Sequence, residues 1–98
     1  DGLTLATPPD IAAMKVNAIE GRGSKKDFID LYYLLQRYTL AGILDFYKQK
    51  YPELSVFRAL MSMSYLDDAD VQPTPRMFDN VSWNEMKEYI RSQVRQNS

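Results

Sequence analysis

A chain of 98 residues that is 45% apolar and 26% charged suffices for one small core. Its 12 basic and 13 acidic residues nearly cancel, which removes the global field that would draw in nucleic acid or an anionic membrane. Cysteine and histidine are both absent, which excludes thiol nucleophiles, disulfides, imidazole bases and the usual zinc ligands, so any chemistry must use Lys, Arg, carboxylates or hydroxyls.

No apolar run approaches the roughly 20 residues that span a bilayer. The start, Asp1-Gly2-Leu3, has neither a basic leader nor a Met, so the expectation is a cytoplasmic piece of a longer protein. A chain this short buries only about 60 to 68% of its unfolded surface, and a missing neighbouring domain should leave apolar surface exposed.

Residues 2 to 7 alternate apolar and polar, which predicts a short strand stub whose sheet lies in the missing part. Thr7 as N-cap, Pro8 at the first position and Asp10 three residues after the cap then open a helix to about Glu20, where Gly21 can end it. At about 100° per residue this helix gathers Ile11, Ala12, Met14, Ala18 and Ile19 on one broad face with Lys15 in its middle. A buried ammonium is costly unless it has an anionic partner or ligand. The alternative is that Lys15 snorkels to water past its small neighbours.

Ser24 followed by Asp27 predicts a second capped helix through about Tyr38. A short Gly-Arg-Gly turn should place the first two helices side by side, which makes Asp27 and Asp30 the candidate partners of Lys15. Each also has a plain structural role: Asp27 as a cap carboxylate, Asp30 as a surface ion pair with Lys26 four residues earlier. Gly21-Arg22-Gly23-Ser24-Lys25-Lys26 collects flexible backbone, cations and a helix start, as an anion site requires. P-loop spacing is missing, and a C-cap with a turn explains both glycines.

Thr39 caps a third helix that Pro52 ends, and a fourth runs from about Leu54 to Leu66. Residues 67 to 81, with Asp67, Asp68, Asp70, Pro73 and Pro75, read as loop. Asp68 and Asp70 lack the glycine and terminal Glu of a calcium loop. Ser82 and Glu85 open a last helix, Trp83 to about Gln96. The fold class is therefore mainly α, about five helices in a small bundle, with the aromatic residues spaced as core.

The segments Asp10-Ile11-Ala12-Ala13-Met14-Lys15 and Arg22-Gly23-Ser24-Lys25-Lys26-Asp27-Phe28-Ile29-Asp30 resemble the AbiEii/AbiGii-type nucleotidyltransferases, a family that includes type IV toxin–antitoxin toxins. Tyr47 to Pro52, Ser64 to Ala69 and Ser82 to Lys87 resemble one branch of it. The family's Gly-Ser turn and strand-borne Asp-x-Asp pair are absent. The resemblance therefore implies that residues 1–98 are the C-terminal helical domain of a prokaryotic nucleotidyltransferase whose catalytic N-terminal half precedes Asp1. It implies Mg²⁺ and an NTP in the intact parent, with no cofactor or metal ligand in this fragment. Lys15, Asp27 and Asp30 are the implied catalytic set, and Lys15, Arg22 and Lys26 the implied phosphate contacts. Implied partners are the N-terminal domain, an antitoxin protein, and tRNA or protein as acceptor. The rival expectation is a non-catalytic helical module that binds an antitoxin or another partner, in which these side chains are free to scatter.

Overall fold

The computed structural model describes residues 8–71 and 81–97. They form five α-helices and one 3-10 turn: α1 Pro8–Gly21, α2 Lys25–Leu34, α3 Leu40–Lys50, α4 Val56–Ser62, the 3-10 turn Leu66–Ala69, and α5 Trp83–Gln96. No strand occurs among the described residues, and the expected stub at 2–7 lies outside them, as does the Thr7 cap expected for α1.

Hydroxyl caps mark four helix starts. Ser24, Thr39, Ser55 and Ser82 each accept from a backbone N–H three residues on, satisfying donors that the helix itself cannot. α1 ends at Gly21, but the left-handed backbone falls at Gly23, φ 56, where a Cβ would sit 3.2 Å from the Ile19 carbonyl. Gly23 therefore makes the turn that folds α2 back on α1. α2 stops at Leu34, short of the expected Tyr38, because residues 35–38 continue as a turn into the Thr39 cap. α4 is shorter than expected too, since its segment breaks after Ser62 and resumes as the 3-10 turn inside the expected loop.

α1 is central, packed against α2, α3 and α4, while α5 joins through α2. The core comprises Ala12, Val16, Phe28, Leu31, Ile43, Tyr47, Met63, Leu66 and Ile90 among others, each large side chain contributing about 1.5 to 3 kcal/mol by burial. On α5, Met86, Ile90 and Val94 recur every four residues and form its buried stripe.

The apolar face expected on α1 needs correction. Its buried residues are Ala12, Ala13, Val16 and Ile19, whereas Ile11 and Met14 are 46% and 48% exposed. α1 is apolar nearly all round, so periodicity could not choose its inner face. The small side chains Ala12 and Ala13 won because they let three other helices approach closely. Lys15 consequently lies at the border between that inner face and an outward apolar stripe of Ile11, Met14 and the half-buried Ala18.

Candidate functional site

The Gly23 turn and the Ser24 cap set the geometry of the site. Ser24 Oγ accepts from the Asp27 N–H at 3.2 Å and donates to Asp27 Oδ2 at 2.8 Å, and the Ser24 N–H reaches the same Oδ2 at 3.4 Å. This reciprocal cap locks the Asp27 carboxylate at the start of α2, against the end of α1. Arg22 then grips it side-on, with Nε to Oδ2 at 2.7 Å and Nη2 to Oδ1 at 2.9 Å. Lys15 reaches from α1 to Asp27 Oδ1 at 3.2 Å and to Asp30 Oδ2 at 2.7 Å.

Four of the five expected site residues, Lys15, Arg22, Asp27 and Asp30, therefore meet in one network, and Lys26 stays exposed beside it. The surface pair Lys26–Asp30 gives way to Lys15–Asp30, because Lys15 is already held in place by Asp27. Exposure divides the network into a fixed inner part and an open outer part. The Asp27 side chain is 1% exposed and that of Lys15 is 19%, against 41% for Asp30 and 68% for Arg22.

The Arg22 guanidinium, working against burial and helped by Ser24 and Lys15, holds the Asp27 carboxyl well below the usual carboxylate range. Burial opposes the Lys15 ammonium, yet its hydrogen bonds to Asp30 and Asp27 outweigh that and raise its pKa above the ordinary lysine value. Lys15 is thus a permanent cation at neutral pH, suited to electrostatic work and not to proton abstraction. The two acids are each neutralised by contact cations, so they do not fit a Mg²⁺ site. Among the described residues no group of three or more carboxylates is placed to hold a metal.

A second ionic network escaped the sequence reading. Asp70, expected to be loop acid, accepts from Trp83 Nε1 at 2.7 Å and from Lys87 Nζ at 2.9 and 3.0 Å. Asp67 pairs with Arg91, and Lys25 lies 5.1 Å from the Trp83 ring centroid while reaching the Asp70 carbonyl. Lys25 and Lys87 are almost fully buried in doing so. With Glu88, which also pairs with Arg91, the network holds three cations and three acids, and it fastens the 3-10 turn to α2 and α5. The one available signal was Lys87 on the same helical face as Met86 and Ile90.

An apolar groove of about 410 Å³ lies between α4 and α5, lined by Val56, Phe57, Leu60, Met61 and Val94 and sharing no lining residue with either network. Arg22 instead borders a cleft of about 160 Å³ with Gly21, Gly23 and Tyr65. No helix among the described residues is long and apolar enough to cross a membrane.

No family model and no solved structure matches this chain. It is 32% identical over 103 aligned positions to an uncharacterized protein of Aquifex aeolicus (strain VF5), across 97% of this chain and 46% of that protein. The chain thus spans about half the length of the curated relative it matches.

Proposed function

We propose that this chain is the helical, phosphate-binding part of a cytoplasmic AbiEii/AbiGii-type nucleotidyltransferase, in which Lys15 and Arg22 neutralise the triphosphate of an NTP. The carrying observation is the convergence of Lys15, Arg22, Asp27 and Asp30 at one partly open place, with inter-residue contacts of 2.7 to 3.2 Å. In nucleotidyl transfer an acceptor oxygen attacks the α-phosphorus, and the bond to pyrophosphate breaks as negative charge builds on the leaving group. Fixed cations are what that step needs. Asp27 orients both cations and so acts as a positioning residue.

Two further observations support the reading. The outward stripe of Ile11 and Met14 flanks Lys15, as a surface covered by another domain would. The relative is about twice as long, which leaves room for a domain carrying the Mg²⁺ carboxylates. The acceptor in this proposal is tRNA or a protein, and the fragment alone is inactive.

The test is transfer of labelled NMP from each NTP by the full-length protein, wild type against Lys15→Ala, with folding checked by circular dichroism. Loss of transfer by about a hundredfold or more, typical of removing one charge-stabilising group, supports the proposal; unchanged transfer rejects it. A second reading, a partner-binding module, rests on the α4–α5 groove beside the 69%-exposed Phe57 and 42%-exposed Met61. It predicts that Phe57→Ser abolishes antitoxin capture and leaves transfer intact.

A further inference from the structure

The ionic network is electrically closed. Lys15 and Arg22 supply two positive charges, Asp27 and Asp30 two negative ones, so an approaching phosphate meets no excess charge. Two of the three ammonium N–H donors of Lys15 are already directed at carboxylates. When one acid leaves, Lys15 gains a second free donor and the network a net positive charge.

The two acids differ sharply in how they are held. Asp27 is 1% exposed and takes hydrogen bonds from Arg22, Ser24 and Lys15, so removing it would strand two cations and uncap α2. Asp30 is 41% exposed, and among the described residues Lys15 is its only partner. Its carboxylate can rotate into water at little cost, as half-exposed ion pairs are worth little net.

We propose that Asp30 is a displaceable counter-ion, and that a polyphosphate chain binds by taking its place on Lys15 while Asp27 holds Lys15 and Arg22 fixed. This inference rests on the phosphate reading of the site. The exchange conserves charge-assisted hydrogen bonds: one Lys15–carboxylate contact breaks and one Lys15–phosphate contact forms, while the anchoring Lys15–Asp27 contact persists. The incoming anion also meets the 68%-exposed Arg22, which binds Asp27 through Nε and Nη2 and keeps Nη1 for the ligand.

The consequence is a reversal of the usual effect of deleting a site residue. Titration calorimetry of the full chain with inorganic tripolyphosphate, and separately with ATP, compares wild type, Asp30→Asn, Asp30→Ser, Lys15→Ala and the double variant Lys15→Ala/Asp30→Asn. Both Asp30 variants should bind about tenfold more tightly than wild type, the effect of deleting one half-screened charge a few ångströms from the anion, and the double variant should lose that gain. A gain with both ligands, or with ATP alone, supports displacement and distinguishes free polyphosphate from nucleotide as the source. Equal or weaker binding by both Asp30 variants, with Lys15→Ala still weakening wild-type binding, overturns displacement and leaves the phosphate site standing. Indifference of binding to Lys15→Ala, or no binding by any form, overturns both.

Discussion

Arg22 meets Asp27 side-on, Nε to Oδ2 at 2.7 Å and Nη2 to Oδ1 at 2.9 Å, and this bidentate pair closes the turn between α1 and α2 over a Ser24 cap. Position and cap are coupled, because the carboxylate that holds Lys15 and Arg22 is the same one that completes the helix start.

Asp27→Ala should therefore destabilise the fold by about 2 to 4 kcal/mol, combining a lost cap with cations left without their buried partner. Asp30→Ala, at a half-exposed position, should cost less than about 1 kcal/mol. Urea midpoints of the two variants test the ranking, and equal losses would contradict the division into anchor and outer acid.

Acid sensitivity follows from the same carboxylate. The folded pKa of Asp27 is depressed, so between that value and the unfolded value of about 3.9 the unfolded chain binds more protons than the folded one. Stability from this group is fully present above the unfolded pKa and is lost as pH falls through the folded one. Wild type should lose stability steeply below about pH 4, and Asp27→Asn should lose less over the same interval. Parallel acid profiles for the two proteins would refute the assignment.

The capped helices and the Lys15–Asp27–Asp30 meeting were legible in the sequence because they depend on short-range chemistry. A hydroxyl three residues before an acid fixes a helix start, and two glycines around Arg22 leave α1 and α2 no choice but to lie together. The inner face of α1 was not legible, since apolar residues surround it and only the approach of α2, α3 and α4 decides between Ala13 and Met14. The Asp70 network was hidden for a similar reason. Its carboxylate is 13 and 17 residues from the donors on Trp83 and Lys87, a separation at which no local pattern constrains the pairing.

That network makes the chain's single tryptophan a reporter on the docking of α5. Trp83 donates to Asp70, lies 6.5 Å from the Phe28 ring and sits under the Lys25 ammonium. Asp70→Ala removes the acceptor shared by Trp83 and Lys87, which leaves a nearly buried ammonium without its closest carboxylate. Trp83 emission should shift to the red and become more accessible to iodide, and amide exchange should quicken in residues 66–71. Asp67→Ala, which leaves Arg91 paired with Glu88 and Lys87 paired with Asp70, should change these signals less. An unaltered Trp83 spectrum in Asp70→Ala would mean that apolar packing of Met86 and Ile90 alone fixes α5.

Tyr47 gives the opposite pH dependence at the alkaline end. Its ring is fully buried, its hydroxyl donates to Glu20 Oε1 at 3.1 Å, and its ring centroid is 5.5 Å from that of Tyr51. Burial, with the nearby Glu20 carboxylate adding to it, pushes the phenol up to about 12 from its usual 10.0. Between those values the folded chain keeps a proton that the unfolded chain gives up, so the stability this group contributes is present below about pH 10 and is lost as pH rises towards 12. The loss is on the order of 2 kcal/mol. Tyr47→Phe should cost about 0.5 to 1.5 kcal/mol at neutral pH by breaking the bond to Glu20, and it should then resist alkali better than wild type. Urea midpoints at neutral pH and at intervals above about pH 10 make the comparison. The two stability curves should converge as pH rises, because the variant has no buried phenol to ionise. If they instead stay a constant distance apart, Tyr47 ionises as readily in the folded chain as in the unfolded one, and the Glu20 contact is too loose to hold the proton.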